Sequence, residues 1–120
     1  GRTKDLLIIH GHNVMPHELE WLAESASGGG GTERCAAFSV ARGVEGEQAI
    51  LVIEVTERDG QALKVLEHEV RLRVARGLNL PVADVVFVRR GQIPKTTSGK
   101  VQRGELRQRY LSGGLERLAF

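Results

Sequence analysis

Apolar and polar positions change rhythm several times along the 120 residues, and each change marks an element. Leu6 to Ile9 is a short apolar run, Gly11 follows as a turn, and His12 to Met15 can return antiparallel, so a β-hairpin is predicted. Pro16 suits the first turn of a helix. Glu18 and Glu20 complement its N-terminal dipole, and Leu19, Leu22 and Ala26 form its apolar stripe. The four glycines Gly28 to Gly31 end it in a loop. Arg34 to Arg42 alternates in part, with Phe38 and Val40 on one face, and Gly43 to Glu47 is the connecting turn. Ala49 to Val55 is almost continuously apolar, as expected of a central strand covered on both faces. Leu63, Leu66, Val70 and Val74 recur at helical spacing within Gln61 to Leu78, and Asn79-Leu-Pro81 stops that helix. Val85 to Val88 reads as a third buried strand. A further helix-like pattern runs from Val101 to Leu111, with Leu106 and Tyr110 on one face and a break at Gly113-Gly114 before a short turn to Phe120. The expected architecture is a small layered α/β (α+β) domain: an N-terminal hairpin and a sheet of about three strands flanked by helices.

Between the third strand and the last helix lies Gly91-Gln-Ile-Pro-Lys-Thr-Thr-Ser-Gly-Lys100. Pro94 stiffens this stretch, the hydroxyl residues favour turns, and Gly99 can adopt positive φ, so Lys100 stands at the tip of a tight turn. A cation held there suits an anionic ligand. The stretch is not a Walker loop: Pro94 stands where the first glycine belongs, and Val101 supplies no hydroxyl after the lysine. A solvated surface turn is the plainer reading of a lone Gly-Lys pair.

Composition narrows the field. Hydrophobic residues make up 41% of the chain, which is ordinary for one globular domain. The single cysteine, Cys35, sits in an apolar run and reads as a small buried hydrophobe. Leu6 to Ile9 is too short for a signal peptide or a membrane span, and a cytoplasmic protein is expected. His10, His12, His17 and His68 lack metal-ligand spacing. The net charge is only +2, but from Arg89 onward there are eight basic residues against two acids. Such a face could meet phosphates, an acidic protein or nucleic acid. With one Trp, one Tyr and three Phe, platforms for stacking bases are scarce.

The two ends of the chain carry a resemblance. Gly1-Arg-x-Lys-Asp-Leu-Leu-Ile-Ile-x-Gly-x-Asn-x-x-Pro-x-x-Leu-Glu20 and Ile93-Pro-Lys-Thr-Thr-Ser-Gly-Lys-Val-Gln-Arg103 resemble the mobile C-terminal domain of acyl-adenylate-forming enzymes. Within that superfamily the chain looks most like the fatty acyl-AMP ligases, through Gly11-His-Asn13 ahead of Pro16, the loop, and the tail Arg109-Tyr-Leu-Ser-Gly-Gly-Leu115. The resemblance implies that residues 1–120 are one lid domain beginning at a hinge, with the large N-terminal AMP-binding domain absent from this chain. It implies a two-step reaction. A fatty acid attacks the α-phosphate of ATP with Mg2+, both bound mainly by the absent domain, giving acyl-AMP and pyrophosphate. The acyl group then passes to the phosphopantetheine thiol of an acyl carrier protein. Coenzyme A as the acceptor is the alternative within the same fold, and a basic binding module is the rival from another class.

The resemblance also assigns residues. Lys100 matches the catalytic lysine that meets the carboxylate and α-phosphate, Lys4 the hinge, Arg2 a position near the ribose, and Gly11 the glycine lining the tunnel for the acceptor thiol. A plain turn glycine is the equal reading of Gly11. Lys95 and Arg103 flank the lysine as further candidates for phosphate or the other domain, and Ile8 stands where some relatives carry a lysine. The scheme requires Lys100 to be exposed rather than locked against acids of its own domain. It also expects the hairpin and the lysine loop to share an exposed surface.

Overall fold

A computed structural model describes residues 6–9, 11–26, 35–41, 46–55 and 59–118. The hairpin forms from β1 (Leu7–Ile9) and β2 (His12–Val14), paired antiparallel with Ile9 opposite His12. Gly11 lies at its turn with φ +80°, the region where a side chain is costly. Helix α1 (Pro16–Ala26) begins with a reciprocal cap: the Glu18 carboxylate accepts the Met15 N–H at 3.1 Å, and the Glu18 N–H bonds the Met15 carbonyl. Glu20 does not serve the dipole as expected and points elsewhere. The glycine run 28–31 lies outside the described residues, as do positions 43–45 of the turn ahead of β4, whose first residue is already Glu47.

Strands β3 (Cys35–Ala41), β4 (Glu47–Glu54) and β5 (Val82–Val88) form the main sheet in the order β3-β4-β5. The β3–β4 pair is antiparallel and β4–β5 parallel, which requires the crossover supplied by α2 (Gly60–Leu78). Asp59 caps the start of α2 by accepting the Gln61 N–H, and Asn79 ends it in the left-handed conformation. The central strand is apolar on both faces because each face carries its own core. Leu51 and Ile53 enter a layer with α1, α2 and the hairpin; Ile50 and Val52 enter a second layer closed by α3 (Arg103–Ser112). Ile9, Leu19 and Val70 belong to the first layer, and Phe38, Ile93 and Leu106 to the second.

Helix α3 stops in a Schellman motif. Gly113, at φ +79°, donates to the Tyr110 carbonyl, and Gly114 donates to that of Arg109. The segment beyond it returns to the sheet: Arg117 bridges Val88 antiparallel, and the Leu118 N–H bonds the Phe87 carbonyl at 2.7 Å. The apolar pattern held no sign of this return, because one bridged pair leaves no periodicity.

Candidate functional site

The chain leaves β5 at Val88 and turns at once. The Gln92 N–H reaches the Arg89 carbonyl, and Gly91 takes φ +89°. Ile93 then plunges into the second core. Past Pro94 the backbone doubles back as a miniature hairpin. Lys95 bridges Val101, the Thr96 N–H bonds the Lys100 carbonyl at 2.8 Å, and the Gln102 N–H bonds the Pro94 carbonyl at 2.9 Å. The tip is tied by short polar groups, as the residue types predicted. The Gly99 N–H reaches the Thr96 carbonyl at 2.9 Å, the Lys100 N–H reaches the Thr96 hydroxyl at 3.1 Å, and the Thr96 and Ser98 hydroxyls share a hydrogen bond. Gly99 holds φ +90°.

Backbone and side chain of Lys100 thus part ways. The backbone is fixed by two hydrogen bonds, whereas the side chain is exposed and forms no ion pair among the described residues. An ammonium delivered this way can stabilise negative charge that develops on something outside the domain.

Two carboxylates brace the hook, and sequence reasoning singled out neither for that role. Glu54, the last residue of β4, is only 8% exposed; its Oε2 accepts the N–H groups of Gly91 and Ile93, each at 3.0 Å. An acid closing a strand buried on both faces was the available signal. Glu20 works from α1 at the other end of the loop. It accepts Arg103 in a two-pronged pair at 2.8 and 2.9 Å, and it also takes the Ala37 N–H at the open edge of β3. Arg103, a candidate for phosphate, is therefore engaged inside its own domain.

The other arginines of α3 are engaged too. Arg107 donates to the Ser39 carbonyl, and Arg109 pairs with Glu105 and donates to the Gln92 carbonyl. Arg117 grips Asp84 with two nitrogens, and that hydrogen-bonded carboxylate pushes its guanidinium pKa further up. Asp84 accepts the Tyr110 hydroxyl as well. The basic run of the sequence thus resolves into internal ties along α3 and exposed Arg89, Arg90 and Lys100 without ion pairs among the described residues. Acids of the same domain pair Arg103, Arg109 and Arg117, three of the eight basic residues from Arg89 onward, which reduces the charge left for a nucleic-acid face.

Gly11 is exposed at the hairpin turn, and a Cβ built there would meet nothing within 4 Å. Its hairpin is anchored by Ile9 and Val14 in the first core, whereas the lysine loop is anchored by Ile93 in the second. The shared surface expected of them is not what this anchoring builds: each is exposed, but they are rooted on opposite sides of the sheet. Arg2 and Lys4 lie outside the described residues. Cys35 is buried, and burial, together with Glu20 and Glu24, pushes its thiol well above the usual range, so it is a poor nucleophile. Among the described residues no group of three or more His, Cys, Asp and Glu side chains could hold a metal ion, and no helix is long and apolar enough to cross a membrane.

No family model matches the chain. Among curated proteins it is 38% identical over 124 residues to the long-chain-fatty-acid–AMP ligase FadD26 of Mycobacterium tuberculosis, an alignment covering 98% of this chain and 20% of that protein. The chain therefore spans about a fifth of the length of the curated relatives it matches. Among solved structures it superposes with a TM-score of 0.76 and 31% identity on McyG A-PCP complexed with phenylalanyl-adenylate, over 94% of this chain and 18% of that one. It superposes with a TM-score of 0.74 and 30% identity on a fatty acyl-adenylate ligase from a study of the Escherichia coli and Legionella pneumophila enzymes, over 94% of this chain and 20% of that one.

Proposed function

We infer that this chain, homologous along its length to fatty-acid–AMP ligases, is the C-terminal lid domain of such a ligase and brings Lys100 to an adenylation site built by the rest of the enzyme. The observation that carries this reading is the hook: a backbone fixed on both sides of the tip and an exposed ammonium with no ion pair among the described residues. As the carboxylate of a fatty acid attacks the α-phosphate of ATP, negative charge builds on the five-coordinate phosphorus. A preorganised cation aimed there stabilises the transition state more than the ground state. ATP and Mg2+ are assigned mainly to the larger N-terminal domain, with Lys100 as this domain's contribution to the site. The chain alone is expected to be inactive.

The second half-reaction is assigned to the other side of the molecule. Gly11 would line the path of the phosphopantetheine thiol of an acyl carrier protein, where a side chain would obstruct it. Hairpin and hook are rooted in opposite cores, which fits a domain that presents them to the site one at a time. Rotation about a hinge at Lys4, with Arg2 near the ribose, supplies the two orientations. The site of action proposed is the cytoplasm. Coenzyme A as acceptor is the alternative; relatives named for AMP and not for coenzyme A are consistent with the carrier protein.

The test is acid-dependent ATP–pyrophosphate exchange by the full-length enzyme. Lys100→Ala is expected to lower it about 10²- to 10³-fold, the usual cost of removing one such donor. Unimpaired exchange would remove Lys100 from the adenylation step. Incubation with fatty acid, ATP and coenzyme A then separates the acceptors: acyl-AMP accumulates if the thiol belongs to a carrier protein, acyl-CoA if it does not.

A further inference from the structure

We propose that Glu54 is a positioning residue for Lys100, setting where the ammonium arrives during adenylation. This rests on the reading of Lys100 given above. Glu54 touches neither the lysine nor any reacting atom; its carboxylate holds the base of the loop. One oxygen accepts both the Gly91 and the Ile93 N–H at 3.0 Å, from a residue that is only 8% exposed. A carboxylate in such a place is costly to desolvate, and hydrogen bonds to an ionised acceptor offset the cost more strongly than neutral ones do. Closing a turn does not by itself require a charge, since the Arg89–Gln92 bond already closes this one. What the carboxylate adds is stiffness at the two residues from which the hook departs.

Stiffness at the base reaches the tip because nothing between them is loose. Ile93 is locked in the second core, Pro94 has its carbonyl bound by Gln102, Lys95 bridges Val101, and Thr96 holds both the backbone N–H and the carbonyl of Lys100. The loop is a short lever, and a shift at Gly91 and Ile93 carries Lys100 with it. A misplacement of about 1 Å at a reacting centre can cost on the order of 10²-fold in rate, so a remote brace of this kind is visible in kinetics.

The experiment is a double-mutant cycle in the full-length enzyme, read as kcat and KM for ATP in pyrophosphate exchange. Glu54→Ala is expected to lower kcat about 30- to 100-fold with KM for ATP changed by less than about threefold. Combined with Lys100→Ala it should fall no further than Lys100→Ala alone, because a brace without its lysine has nothing to place. Transfer of the acyl group from supplied acyl-AMP to the acceptor thiol, which does not use the hook, should stay within about twofold of wild type.

Should Glu54→Ala fail to fold, Glu54→Asp carries the test. It keeps the charge, draws the loop base in by one methylene, and is expected to cost about tenfold in kcat with the same non-additivity. Wild-type exchange by Glu54→Asp or Glu54→Ala beside a collapsed Lys100→Ala overturns this inference alone. Effects that multiply in the double variant, or an equal loss in acyl transfer, also overturn it, by making Glu54 a general support of the fold. Intact exchange by Lys100→Ala overturns the reading of the lysine and this inference with it.

Discussion

Helix α3 and the loop ahead of it carry the same kind of charge and treat it in opposite ways. In α3, Arg103 closes on Glu20, Arg107 on the Ser39 carbonyl and Arg109 on Glu105. In the loop, Arg89, Arg90 and Lys100 are exposed and form no ion pair among the described residues. Arginine fits the helix because its planar fork matches carboxylates and carbonyls and can tie one helix to another across a sheet edge. The N–H of Ala37 and the carbonyl of Ser39, both on β3, are taken by Glu20 from one helix and Arg107 from the other, which protects an edge strand from pairing with other chains. At the tip of the loop the exposed cation is a lysine, a compact charge on a flexible stem. Charge in α3 holds the domain together, and charge in the loop is kept for something else.

The contrast breaks most readily at Arg103. Arg103→Ala leaves Glu20, only 13% exposed in its side chain, with the Ala37 N–H as its one remaining partner of the three contacts described. The expected loss in equilibrium urea unfolding is about 2–3 kcal/mol, below the range for a fully buried pair because the guanidinium is partly wet. Arg103→Lys should recover part of it, since the charge returns but the fork does not. A loss under about 0.5 kcal/mol would place Arg103 with the solvated surface arginines and erase the distinction. The next effect falls in the loop. Gly99→Ala meets no steric obstacle, with nothing within 4 Å of the added Cβ, so its cost is the φ of +90° alone. That is about 1–2 kcal/mol in stability. Adenylation should suffer more than stability, because relief of the strain turns Lys100 away. Thermal unfolding together with pyrophosphate exchange checks both.

How far the sequence could reveal this contrast depends on the range of the forces involved. Periodicity is local, so the hairpin, all three sheet strands and the three helices could be read from it, as could the double coverage of β4. The hook was equally legible, because proline, glycine and hydroxyl residues act on their own neighbours. Pairings across the fold were not. Arg103 and Glu20 are 83 positions apart, and Glu54 and Ile93 are 39 apart. No spacing rule connects them, so the sequence assigns Glu20 to the helix dipole and leaves Arg103 a candidate for phosphate or the other domain. The return of Arg117 to Val88 escaped for the same reason. The lysine proposed to act lies in the local part and its support in the distant part. The residues assigned by resemblance at the start of the chain, Arg2 and Lys4, lie outside the described residues.

A smaller effect sharpens the comparison inside α3. Tyr110 lies edge-on to Phe38 with ring centroids 5.5 Å apart, and its hydroxyl donates to Asp84 at 2.9 Å. Tyr110→Phe keeps the ring and removes one of the hydrogen bonds to Asp84, while Arg117 still holds that carboxylate. The expected cost is about 1 kcal/mol in urea unfolding. A cost near zero would show that Asp84 is satisfied without Tyr110.

The smallest effect on stability is expected at Arg90, and there the contrast inverts. The side chain is exposed and without an ion pair among the described residues, so Arg90→Ala should change unfolding by no more than about 0.5 kcal/mol. If charge in the loop serves a polyanion outside the domain, the same variant should still register in kinetics. In the full-length enzyme, kcat/KM for ATP at low ionic strength should drop about threefold, because exposed cations steer charged ligands over distances comparable with the Debye length. Above roughly 0.5 M salt that length shrinks to a few ångströms, and wild type and variant should converge. Arg103→Ala should do the reverse, costing stability at every salt concentration, since a pair shielded by the β3 edge is screened far less. A salt-independent rate loss for Arg90→Ala would mean that Arg90, too, is structural, and the division between loop and helix would then lie at Lys100 alone.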